Sequence, residues 1–198
     1  LFHDLFTNDI AYIQIGFNTH SVPDEMIPYI SLLGTLVLGM GTGRHSYTEI
    51  SKLIGMHTGG IRTSHFSSAT VQDRYQVLSY IFFSGKALLE KVDSLFDIFD
   101  ELLGDSSFDD HKRLVEIIRS AKSDMEDSIV PHGNHYVLSR LQSYQSRLGQ
   151  FDELTDGITY YRFLEQLLER VEKDPGEVAD RFRQVAERVF TRKNAFFY

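Results

Sequence analysis

The hydrophobic pattern changes its period along the chain, and that change constrains the fold more than any motif does. In the first part, apolar residues alternate in short bursts. "DIAYIQIGFN" (9–18) sets Ile13, Ile15 and Phe17 on one face, the pattern of a half-buried strand. The residues before it, from Leu1, share that strand-like character. "IRTSHFS" (61–67) and "RYQVLSYIFF" (74–83) read as two more strands, antiparallel to each other. From Lys86 onward the spacing becomes three and four. Leu88, Leu89, Val92, Leu95, Phe96, Phe99, Leu102 and Leu103 then form the stripe of an amphipathic helix. "HKRLVEIIRSAKSDMEDSI" continues as another helix that ends near Pro131, and "HYVLSRLQSYQSRL" follows it. "DGITYYRFLEQLLERV" stripes Tyr161, Leu164, Leu168 and Val171. The last helix opens with Asp174 as cap, Pro175 at its first position and Glu177 at its third, and carries Val178, Phe182, Val185 and Val189. "NAFFY" returns to strand. The order predicts an α+β domain over residues 1–198: an antiparallel or mixed sheet with helices packed on one face.

Between the first two strands lie two further helices. "SVPDEMIPYISLLGTLVLGMGT" offers Ser21 or Asp24 as a cap and then a long apolar run, a mostly buried helix that Pro28 starts or kinks. "SYTE" (46–49) is a capping box, with Ile50, Leu53 and Ile54 as the buried stripe behind it. Gly55 stands where a left-handed helix terminus is expected. "HTGG" (57–60) is the turn into the next strand.

Composition removes several function classes. The net charge is −8, which argues against nucleic acid as the main partner. There are no cysteines, so thiol catalysis, disulfides and Cys-ligated zinc are excluded. No apolar run approaches a membrane span. Leu1 and the truncated final strand read as the ends of a piece excised from a longer chain, with no leader segment. The expected location is cytoplasmic, or an organelle matrix if the source is eukaryotic.

The candidates for chemistry are few. "GMGTGR" lacks the Lys-Ser/Thr of a phosphate loop and follows no strand, so helix ends and turns explain its glycines. His45 and His57 bracket one helix but project from its opposite ends. His132 and His135 have the i, i+3 spacing of a zinc pair without an evident third ligand. The acidic stretches "DMED" (124–127) and "DELTD" (152–156) read as solvated helix faces or turn caps. No catalytic residue, no metal ligand and no identifiable substrate-binding residue emerges from these patterns.

Three stretches together carry a resemblance. "LFHDLFTNDIAYIQIGFN" resembles the start of the third domain of presequence-protease-like metallopeptidases in the insulinase/pitrilysin family. "EISKLIGMHTGGIRTS" is similar to that family's helix, Gly-Gly turn and strand. "HGNHYVLSRLQSYQSRLGQFDELTDGITYYRFLEQL" is similar to its Gly-x-His-Tyr segment and its later Gly-Ile-x-Tyr-x-x-Phe-Leu segment. The resemblance implies one α+β domain of a clamshell protease that degrades short unstructured peptides. Its zinc is held by H-x-x-E-H in the first domain, of which the third is a degenerate copy. Aligned on Gly41-Thr42, the three motif positions fall at Leu32, Thr35 and Leu36, none of which can do the zinc chemistry. The resemblance therefore implies a non-catalytic chamber wall, with no cofactor of its own and zinc elsewhere in the parent chain. The family's substrate-holding Tyr and Arg belong to a fourth domain beyond Tyr198. The implied partners are the other domains of the same chain and unstructured peptides, and the acidic balance suits basic ones. An inactive relative used for assembly, or an unrelated helical interaction module, are the competing readings.

Overall fold

Residues 8–197 are described by a computed structural model of the chain, so the strand-like character of Leu1–Thr7 and the end of "NAFFY" at Tyr198 lie outside the described residues. The described residues form four strands and eight α-helices: β1 (Ile10–Asn18), α1 (Ile27–Gly39), α2 (Tyr47–His57), β2 (Ile61–Ala69), β3 (Val77–Leu88), α3 (Val92–Gly104), α4 (His111–Ile129), α5 (Gly133–Ser143), α6 (Arg147–Thr155), α7 (Ile158–Lys173), α8 (Pro175–Val189) and β4 (Ala195–Phe197). The sheet order is β2-β3-β1-β4, and all three pairings are antiparallel.

Strand β3 shows why the sheet has an inside. Ser79, Ile81, Phe83, Gly85 and Ala87 alternate as buried residues, while Lys86 and Leu88 are exposed. Its partners follow that parity, because paired residues share a face. Ile13, Ile15 and Phe17 of β1 lie on the inner face, as their alternation predicts. The helices cover this face. Among them α1 is apolar almost all round, and Tyr29, Ile30, Leu33, Leu36 and Val37 are all buried. It packs on β2 and β3 and touches α2, α3, α4, α6 and α8. A short 3-10 turn (Asp24–Met26) precedes it and Pro28 sits in its first turn, so the proline starts the helix rather than kinking it. Gly34 lets α1 approach β2, since a Cβ there would meet the Thr63 side chain at 2.8 Å.

Four sequence expectations are corrected. First, the strand expected over 74–83 runs from Val77 to Leu88, and the helix expected from Lys86 starts at Val92 after a 3-10 turn. Pairing of Leu88 with Ile10 and Lys86 with Tyr12 overrides the helical spacing there. Leu88, Leu89 and Phe96 are consequently exposed, while Leu95, Phe99 and Leu102 are buried.

Second, "HYVLSRLQSYQSRL" is not one helix. It breaks at Tyr144–Ser146, where the Ser146 hydroxyl accepts the Gly149 N–H at 2.9 Å and starts α6. Third, α7 is rotated from the expected stripe: Tyr160, Leu164, Leu167 and Val171 are buried, and Tyr161 instead donates to Glu126 at 2.7 Å. Fourth, Gly55 is inside α2, which runs on to His57. The left-handed residue is Gly60, with φ +104°. Thr58 ends the helix, its hydroxyl donating to the Ile54 carbonyl at 2.7 Å.

The outer face of the sheet has no helix over it among the described residues. It carries a run of aromatic rings beside polar residues such as Arg62, Ser84 and Lys86. Phe66, Tyr80, Phe82 and Phe196 form a run of neighbouring rings with centroids 5.4–6.5 Å apart.

Candidate functional site

The glycine-rich loop after α1 spends its amides from Thr42 to Ser46 inside the protein. Thr42 and Gly43 donate their N–H groups to the carbonyls of His45 (2.8 Å) and Asp105 (3.0 Å). Those of Arg44 and His45 go to the Thr42 hydroxyl, and that of Ser46 to Glu49 at 2.9 Å. The last of these is the capping box expected at "SYTE". The Thr42 hydroxyl and His45 Nδ1, 2.5 and 2.8 Å away, in turn meet Oε1 of the buried Glu101. Burial alone would raise the Glu101 pKa, but the bonds from Thr42 and His45 outweigh it and hold the carboxyl below its usual range. The cluster ties the loop to α3, which is a structural task.

The candidate histidines do not converge. His45 is committed to Glu101, and His57 lies at the far end of α2 beside Lys86. His132 precedes α5 as its N-cap residue, so it does not share a helical face with His135. His135 faces Asp156 instead, at 3.3 Å. Leu32 and Leu36 are buried in the core of α1 and Thr35 is exposed, so the positions aligned with the zinc motif do not fit a metal. Among the described residues no three His, Cys, Asp or Glu come together to hold one.

Of the two acidic stretches, "DMED" is solvated as expected. "DELTD" is not. Glu153 is 3% exposed. Its carboxylate accepts from the Thr159 N–H and hydroxyl (both 3.0 Å), Ser139 (3.1 Å) and Arg140 (3.2 Å). It pins α5, α6 and the start of α7 together. The missed signal was the helix itself: once α6 exists, Glu153 falls on its inner side.

The concave feature with the most polar chemistry lies beside this knot. The helical layer stops short of covering β2, and a groove of about 610 Å³ remains between β2, α1 and the α5–α6 hairpin. His65 enters it from the inner face of β2, opposite Ile81. Water reaches the ring along the groove mouth, but protein crowds it elsewhere. That lost solvation lowers its pKa, partly opposed by a hydrogen bond to the Ser31 backbone. Ser67, two residues on, donates to Asp152 Oδ1 at 2.6 Å. Tyr160 forms part of the groove wall, and burial pushes its hydroxyl pKa up. The parity of Ile61, Thr63 and His65 places His65 inward, but nothing in the alternation shows a gap in the helices above it.

Comparison with known proteins decides the family. The profile of the associated domain of peptidase family M16, subfamily C, matches residues 1–167. The chain belongs to this peptidase-associated family. The protein HypA of Clostridium perfringens (strain 13 / Type A) is 31% identical over 194 residues, which is 98% of this chain and 20% of HypA. Presequence protease 1, chloroplastic/mitochondrial, of Arabidopsis thaliana is 28% identical over 96% of this chain and 18% of its own length. The chain thus spans about one fifth of these relatives. Among solved structures, a conserved protein from Enterococcus faecalis V583 superposes with a TM-score of 0.63 at 15% identity, over 89% of this chain and 41% of that one. The periplasmic protease PqqL from Escherichia coli gives 0.51 at 14% identity, over 96% and 18%. The peptidase-associated chain therefore shares its α+β fold with a domain-sized part of a larger protease.

Proposed function

We propose that this chain acts as a non-catalytic domain of a zinc metalloendopeptidase that degrades short unstructured peptides, and that it forms part of the wall of the substrate chamber. The observation that carries the reading is the state of α1. The helix aligned with the zinc-binding helix of the family spends two of its three motif positions, Leu32 and Leu36, on the hydrophobic core. Metal and base are then supplied elsewhere in the longer protein, whose family uses zinc, and this chain contributes enclosure.

The outer face of the sheet supports the second half of the proposal. A lone domain gains nothing from a row of phenylalanine and tyrosine rings in water, whereas a domain that docks against other parts of the same chain does. The names of the plant and yeast relatives place those proteins in mitochondria or chloroplasts, which favours an organelle matrix for a eukaryotic parent.

Deletion of the segment corresponding to residues 1–198 from the longer protein tests the wall role. Zinc content is expected to stay stoichiometric while peptide turnover is lost. A folded deletion protein that still turns over peptide at the full rate abandons the reading.

A further inference from the structure

Strand β2 is an edge of the sheet, and it lacks the usual protection of an edge. Its nine residues, IRTSHFSSA, contain no proline and a single charged side chain, Arg62. Natural edges are blunted by lysines, prolines, bulges or a covering element, because their unpaired N–H and C=O groups otherwise capture another strand. Among the described residues β2 pairs only with β3. By contrast β3 is central and has no free edge.

The groove lies on the inner side of this edge. A strand added alongside β2 sends alternate side chains inward, opposite His65 and Ser67. Asp152 and Asp156 line the groove on that inner side. Each aspartate has one oxygen engaged, with Ser67 and His135 respectively. The other oxygens, Asp152 Oδ2 and Asp156 Oδ1, accept no hydrogen bond among the described residues, and no lysine or arginine lines the groove. Leu138, 57% exposed, lies against the same space and offers an apolar surface for an aliphatic stem.

We propose that the free edge of β2 and the groove beneath it form a seat for an extended peptide segment, which adds as a strand and places an arginine or lysine side chain against Asp152 and Asp156. The backbone supplies the sequence-tolerant part of the affinity and the aspartates supply the preference for a basic side chain. A second copy of the chain does not satisfy this site. Pairing through its own β2 would turn Ile61, Thr63, His65 and Ser67 inward, while Arg62 would face the opposite side. The proposal rests on the chamber-wall reading only for where such a peptide comes from.

The test uses the 198-residue chain labelled with nitrogen-15 and nine-residue Thr/Val/Ser peptides, matched in length to β2. One peptide carries a central arginine, one norleucine and one glutamate, and a fourth carries the arginine with alternate backbone nitrogens methylated. Titrations followed by amide shifts and hydrogen exchange are expected to show protection over Ile61–Ala69 with the arginine peptide. Affinity should be roughly tenfold lower with glutamate, a difference of the size expected when attraction becomes repulsion. Binding of the methylated peptide should be lost. Asp152→Asn with Asp156→Asn should erase the preference for arginine over norleucine. If the double variant loses its native amide spectrum, Asp156→Asn alone, at an exposed position, should reduce that preference. Equal affinity for the arginine, norleucine and glutamate peptides overturns the proposal, as does protection that maps away from β2. Edge protection without peptide in a concentration-dependent dimer overturns it too, by assigning the edge to a second copy. None of these results alters the zinc content or turnover of the deletion protein, so the seat and the wall fail separately.

Discussion

Glu153 and Glu101 are carboxylates committed to structure, and each gathers donors from more than one element. Glu153→Ala leaves the Thr159 N–H and the buried Ser139 hydroxyl without their acceptor, while Arg140 keeps the Thr159 hydroxyl, so urea unfolding is expected to show a loss of about 2–3 kcal/mol. The glycines make an opposite pair. Gly55 lies in a helix, exposed, with open space where a Cβ would go, so Gly55→Ala should stabilise by roughly 0.5–1 kcal/mol. Gly60 has φ +104°, and Gly60→Ala should cost about 1 kcal/mol. Thermal melts of the two variants should move in opposite directions.

His65 and Glu101 contribute to the response to acid, alongside Glu49, Glu126 and Glu177, whose pKa values are also lowered by hydrogen bonds. The His65 pKa is lowered in the fold, so its protonation favours the unfolded chain. Its contribution is present above the ordinary value of about 6.5 and is lost as the pH falls through the lowered one. Glu101, also lowered, acts in the same direction further down: its contribution is present above about 4.5 and is lost as the pH drops. Stability measured in urea should fall from about pH 6.5 downward, and His65→Gln should remove the upper part of that decline while leaving the lower part.

At the scale of elements, the corrected boundary between β3 and α3 has a direct consequence. Leu89 continues the helical spacing in the sequence but is 59% exposed, whereas Leu95 is fully buried. Leu95→Ala should destabilise by about 2–5 kcal/mol and Leu89→Ala by less than about 0.5 kcal/mol, a contrast that chemical denaturation resolves. Terminal capping was easier to read. Asp174 accepts the Glu177 N–H at 3.0 Å and Pro175 follows it, as the sequence predicts, because both devices act within one turn. Glu177 itself does something that local pattern does not show: it pairs with Arg170 of α7 at 2.7 Å. The break between α5 and α6 is intermediate. Ser146 is a legible cap, yet the apolar spacing runs straight through it, and only the packing of the two short helices on each other rewards the break.

Across the whole molecule, the sheet divides the chain into a helical side and an aromatic side. Phe66 and Phe196, 51% and 41% exposed, belong to a surface that the described residues leave open. Replacing both with serine should reduce binding of a hydrophobic dye to the isolated chain while changing its unfolding free energy little, by about 0.5 kcal/mol per site. A large loss of stability would instead place these rings in the domain's own support.

What the sequence determined by itself was whatever depends on near neighbours. The α+β class, the antiparallel pairing of 61–67 with the following strand, the caps at Ser46 and Asp174, and the stripe of α8 all follow from periods of two and 3.6 and from first-turn chemistry. The family resemblance, aligned on Gly41-Thr42, adds that Leu32, Thr35 and Leu36 stand at the zinc-motif positions and are residue types that hold no zinc. Only the tertiary structure decided the rest, because it turns on residues far apart in the chain. Pairing with Ile10–Asn18 made 86–88 strand instead of helix. The seating of α6 turned Glu153 from a solvated acid into a buried knot. The incomplete cover of β2 left His65, Asp152 and Asp156 around one groove. Burial and free strand edges are properties of what lies alongside a segment, and periodicity along the segment carries no record of it.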